Sequence, residues 1–109
     1  MREINVSEVT STIAKLCMDS CYYLPEAVKN KIRAAAVTEE SPLGKEILNT
    51  LIENFELSQE KAVPLCQDTG LTVVFLEIGQ EVHFVGGDLY EAIHAGVAKG
   101  YVDGYLRKS

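Results

Sequence analysis

The sequence predicts an α+β fold: helices first, then a β-hairpin, then one further helix. Three observations carry this. Apolar residues recur at helical spacing from about residue 6 to residue 55. A nearly continuous apolar run, Leu71 to Ile78, faces an alternating run, Glu81 to Val85, across Gly79-Gln80. After Gly86-Gly87-Asp88 the spacing turns helical again.

The first helix is expected over about residues 6 to 23, with Val6, Val9, Ile13, Leu16 and Cys17 on one face. Asn5 can cap it and Glu8 can answer the cap. Pro25 suits the first turn of a second helix, whose apolar stripe is Ala27, Val28, Ile32, Ala35 and Ala36. Lys29, Lys31 and Arg33 fall between these positions and read as a solvated face. Ser41-Pro42 begins a third helix, running to about Phe55. Leu43, Ile47, Leu48, Leu51, Ile52 and Phe55 give it a wide apolar face, expected to be core.

Leu71 to Ile78 reads as a strand buried on both faces, because its apolar residues are nearly unbroken and rich in β-branched and aromatic types. In Glu81 to Val85, Val82 and Phe84 point inward and His83 outward. Asp88 reads as the N-cap of the last helix, with Glu91 reaching back. Ile93 and Val97 are expected to be buried in it. Gly96, Gly100 and Gly104 fall at every fourth position. Each glycine costs a helix about 1 kcal/mol against alanine, so a stripe of them implies close approach of another backbone. His94 lies off that stripe and reads as a surface residue.

At 109 residues and 47% hydrophobic, the chain allows one small domain, helical over 1–63 and carrying a loop, hairpin and helix over 64–109. Sixteen acidic against ten basic residues give a net charge of −6, which excludes the basic footprint of a nucleic-acid binder. There is no apolar run of the length a membrane span needs, and the first eight residues carry no apolar signal core. Three cysteines, with no export signal, point to reduced thiols in the cytoplasm.

The stretch of greatest chemical interest is Pro64-Leu65-Cys66-Gln67-Asp68-Thr69-Gly70. Pro64 stops the preceding helix, and Gly70 permits a turn into the apolar run. A thiol, an amide, a carboxylate and a hydroxyl are thereby gathered in one loop. Cys66 has three readings: an inert structural thiol, a nucleophile needing a base, or a metal ligand needing partners from elsewhere. Cys17 and Cys21 share a helix face and could join Cys66 in a small zinc module. The plainer reading makes Cys17 a small core residue and Cys21 its marginal neighbour.

This heptapeptide, followed by Gly86-Gly87-Asp88-Leu89-Tyr90-Glu91-Ala92-Ile93, Gly96-Val97, Gly100-Tyr101 and the closing Leu106-Arg107-Lys108-Ser109, resembles the N-terminal part of the class I, iron–sulfur fumarate hydratases. The likeness is to their alpha subunit, and the alpha subunit of L-tartrate dehydratase shares the pattern. It covers essentially the whole chain and is sharpest from Pro64 onward. The resemblance implies a cytoplasmic tricarboxylic acid cycle lyase that interconverts (S)-malate and fumarate on a [4Fe–4S] cluster. Cys66 matches a cluster ligand, the other cysteine ligands lying outside these residues. Gln67 and Asp68 match residues beside the substrate, with Asp68 also a catalytic candidate. Arg107 matches an arginine that grips a substrate carboxylate. The chain then reads as an N-terminal segment of a larger fumarase alpha-type domain, not active alone. Its partners would be a small dicarboxylate, the rest of an alpha chain and a beta subunit, in an oligomer. L-tartrate dehydratase, and a non-catalytic folding or assembly segment of such an enzyme, stand as alternatives.

Overall fold

The computed structural model describes residues 1–67 and 70–108. In chain order the elements are β1 (Arg2–Asn5), α1 (Val6–Tyr22), α2 (Glu26–Thr38), α3 (Pro42–Lys61), β2 (Val82–Val85) and α4 (Leu89–Asp103). The α+β class is as expected. The chain divides into two compact units, one of Met1–Met18 with Asp68–Ser109, the other of Asp19–Gln67.

In the first unit, β1 and β2 pair in parallel, with Arg2 opposite Val82 and Asn5 opposite Val85. The expected hairpin is replaced by this pairing. A turn does form there, one residue later than expected and centred on Gln80-Glu81, because the Val82 N–H donates to the Gly79 carbonyl at 3.1 Å. Leu71 to Ile78, however, forms no strand, and all of it is exposed, with Leu71 at 94% and Phe75 at 91%. A run this apolar needs cover on both faces to be a stable strand, and the described residues of this unit do not supply it. The alternation in β2 holds: His83 is exposed, and Val82 and Phe84 are half-buried.

The core of this unit is the contact between α1 and α4. Val6, Ile13, Ala14 and Cys17 are buried on α1, and Ala92, Gly96 and Gly100 on α4. A Cβ at Gly96 would lie 2.7 Å from the Thr10 carbonyl oxygen and from Ile13 Cβ. One at Gly100 would lie 2.8 Å from the Ala14 carbonyl oxygen and 2.9 Å from Cys17 Cβ. Gly96 and Gly100 therefore do what the stripe's spacing predicts, while Gly104 lies past the helix as its C-cap. Thr10 Oγ1 adds a hydrogen bond across the contact to the Ala92 carbonyl, at 2.8 Å. Ile93 and Val97 are half-buried rather than core, because α4 presents its glycines to α1 and turns these two toward Thr72, Val74 and Leu76.

Caps match their sequence signals. Asn5 Oδ1 accepts from the Ser7 N–H at 2.9 Å, Ser41 Oγ from the Gly44 N–H at 3.2 Å and Asp88 Oδ2 from the Glu91 N–H at 3.0 Å. These satisfy donors that a helix start leaves orphaned.

The second unit is built on α2 packed against α3. Here two expectations are corrected. The face α2 buries is Lys29, with Ile32, Arg33 and Ala36 half-buried, while Ala27, Val28 and Ala35 are exposed. Lys29 is only 5% exposed because it finds partners: Nζ donates to Gln59 Oε1 and pairs with Glu26 at 3.6 Å. Arg33 lies over the Phe55 ring and bridges Glu26 and Glu56 at 3.5 and 3.7 Å. Long cations can cover apolar surface with their stems, and these two replace the aliphatic stripe. On α3 only Phe55 of the expected stripe is buried. Leu43, Ile47 and Leu51 are 65%, 53% and 44% exposed.

No helix among the described residues is long and apolar enough to cross a membrane.

Candidate functional site

α3 outlasts its expected end and stops at Lys61. Ala62 caps it in the left-handed conformation, φ 49°. Pro64 cannot continue a helix, so the chain leaves extended. The loop it enters is held residue by residue. The Val63 N–H donates to the Ser58 carbonyl at 3.2 Å. Ser58, 1% exposed, shares its hydroxyl between the carbonyls of Tyr22, at 2.9 Å, and Val63. The Leu65 N–H donates to the Cys21 carbonyl at 2.7 Å. The Cys66 N–H donates to Asn54 Oδ1 at 3.0 Å, and Cys21 Sγ donates to Gln67 Oε1 at 3.4 Å. Cys66 itself is exposed and Gln67 half-buried. The result is a solvent-facing thiol on a backbone that its neighbours immobilise. That arrangement suits a side chain that must meet an outside group in one direction.

Arg107 is built in the first unit. α4 ends at Gly104, whose N–H donates to the Gly100 carbonyl at 2.9 Å. Tyr105 reverses the chain in the left-handed region, φ 56°. Leu106 then turns inward, 4% exposed, its N–H donating to the Tyr101 carbonyl at 3.1 Å. This anchor fixes where the next two residues start. Arg107 and Lys108 line an open cleft of about 210 Å³ with Gly70, Thr72, Val97, Ala98 and Tyr101. Thr72 Oγ1 and the Tyr101 hydroxyl are bonded at 3.1 Å. Arg107, Lys108 and the hydroxyls of Thr72 and Tyr101 are thus the polar groups among its described lining residues. The arginine fork fits a planar carboxylate.

Of the sequence-predicted site residues, Cys66 and Gln67 are neighbours on the clamped loop. Arg107 sits in the cleft of the other unit, and Asp68 lies outside the described residues. His83 and His94 are exposed. Cys17 is taken up by the α1–α4 contact, and among the described residues no three or more of His, Cys, Asp and Glu gather to hold a metal ion. A zinc module of Cys17, Cys21 and Cys66 is not built. Sequence reasoning missed Asn54, Ser58 and the Cys21 thiol as holders of the loop. The signal was there: Asn54 and Ser58 are polar, four apart and on one face of an amphipathic helix, next to buried Phe55.

Residues 10–109 match the family described as fumarate hydratase (Fumerase). The chain belongs to that family. It is 40% identical over 76 residues to "Putative L(+)-tartrate dehydratase subunit alpha" of Methanocaldococcus jannaschii, a match covering 70% of this chain and 27% of that protein. It is 26% identical over 102 residues to L(+)-tartrate dehydratase subunit alpha of Escherichia coli K12, covering 94% and 33%. The same protein of Shigella boydii matches equally. This Fumerase-family chain therefore spans about a quarter to a third of the length of these curated relatives.

Proposed function

We propose that this chain supplies part of the active site of a hydro-lyase that adds water to, or removes it from, a small dicarboxylate. The reaction read is (S)-malate to fumarate and back. The observation that carries it is the exposed Cys66 thiol on a loop tied at Val63, Leu65, Cys66 and Gln67, in a member of the fumarate hydratase family.

A solvent-facing thiol fits one corner of a [4Fe–4S] cluster, the other ligands coming from polypeptide beyond these residues. When bound, such a cluster supplies a Lewis acid for a hydroxyl leaving group. The chain's own residues do the rest of what is proposed here. Arg107, with Lys108 beside it, holds a substrate carboxylate and balances its charge. Gln67, whose Oε1 accepts from the Cys21 thiol, stands beside the substrate. Asp68 positions the substrate or moves a proton at the carbon next to the departing hydroxyl. The setting is an oligomer of alpha-type and beta-type subunits in the cytoplasm, serving the tricarboxylic acid cycle. The alternative of a purely assembly-directing segment gives no reason for two cations in an open cleft.

L(+)-tartrate is the second reading, favoured by the names of the similar alpha subunits. Tartrate differs from malate by one hydroxyl, and the described residues hold nothing that separates them. Steady-state turnover of the assembled enzyme on both substrates decides between them. On the preferred one, Arg107→Lys should raise KM about 30-fold, the worth of a charge-assisted hydrogen bond, with a smaller change in kcat. An unchanged KM would remove Arg107 from the site.

A further inference from the structure

Asparagine is a poor choice for a helix interior, since its side chain competes for backbone bonds. Asn54 is half-buried inside α3 and spends its oxygen outside the helix, on the Cys66 N–H. One turn on, Ser58 reaches the Val63 carbonyl of the same loop. Two polar residues stacked on one helix face thus grip the loop at the Val63 carbonyl and at the Cys66 N–H. The Cys66 N–H is the bond that matters most. An exposed side chain makes few contacts of its own, so the point it projects from is set by the backbone that carries it. Capturing the amide fixes the plane of the Leu65–Cys66 peptide and, with it, the position of the Cys66 Cα. We propose that Asn54 is the positioning residue of Cys66: its side-chain oxygen holds the Leu65–Cys66 peptide, and so the point from which the thiol reaches a metal. What the thiol then binds rests on the iron–sulfur reading above; the clamp is a matter of local geometry.

The experiment compares the assembled enzyme as wild type, Asn54→Ala, Asn54→Asp and Cys66→Ser. Two readouts are taken: hydrogen–deuterium exchange of the peptide carrying the Cys66 amide, and iron retained after anaerobic reconstitution. Asn54→Ala should speed exchange of that amide about tenfold, the upper range for one hydrogen bond. It should also lower iron retention, with exchange in α4 unchanged. Asn54→Asp keeps an oxygen acceptor and should restore protection and most of the iron. Equal exchange in wild type and Asn54→Ala overturns the proposal. So does faster exchange with full iron retention, because the clamp then positions nothing. If Cys66→Ser also keeps its iron, the fault lies in the iron–sulfur reading and not in the clamp.

Discussion

The α1–α4 contact and the Leu71 to Ile78 run are both apolar, yet one is the core of its unit and the other is bare. On α4 the buried residues are Ala92, Gly96 and Gly100, which carry almost no side chain. In the run they are Leu, Val, Phe and Ile, and every one is exposed. Hydrophobicity is thus not what decides burial here. α1 and α4 close on each other because a glycine stripe lets backbone meet backbone, and each helix satisfies its own hydrogen bonds. An extended segment cannot do that. Its amides need a neighbouring strand, and in this unit β2 has taken β1.

That contrast can be broken from the tight side first. Gly96→Leu should destabilise the first unit by about 3 kcal/mol, the high end for overpacking, even though leucine favours a helix. Urea unfolding measures it, and a neutral result would mean the helices are not in contact at Gly96. Asp88→Ala removes the cap that starts α4 and should cost about 1 kcal/mol by the same assay. A loss below the error of the assay would mean that the cap is not formed. Phe75→Ser, in the bare run, should change the stability of this chain by less than about 0.5 kcal/mol, as surface changes do. A loss of several times that would put Phe75 in a core after all.

The same contrast explains what was legible in the sequence. The four helices and their caps rest on local spacing, so Asn5, Ser41 and Asp88 could be read directly. The glycine stripe was legible as a demand for close approach, though not the identity of α1 as the partner. β1 was not legible: Arg2–Asn5 is short and mostly polar, and its partner lies some eighty residues away. The hairpin was a reasonable reading of two adjacent runs, and only the turn between them was formed. Lys29 and Arg33 were read as solvated because charge usually is. Their burial depends on Gln59, Glu26, Glu56 and Phe55, three of which sit on a different helix.

In the site, Pro64 and Gly70 bounded a loop that could be found by inspection, and Cys66 within it. Of its clamp, Asn54 and Ser58 stood out as polar residues on an amphipathic face, but their pairing with the loop did not, since Cys21 is 46 residues from Gln67 and Asn54 twelve from Cys66. Arg107 owes its place to the left-handed turn at non-glycine Tyr105 and to the burial of Leu106, neither of which local propensity would indicate.

The central claim is that Cys66 is an iron–sulfur ligand. Electron paramagnetic resonance of the assembled enzyme, reconstituted without oxygen and then reduced by one electron with dithionite, as wild type and as Cys66→Ser, tests it most directly. The account predicts an iron–sulfur signal in the wild type that malate or L(+)-tartrate perturbs, and its loss in Cys66→Ser. Identical spectra from the two proteins would contradict it and leave Cys66 a structural thiol.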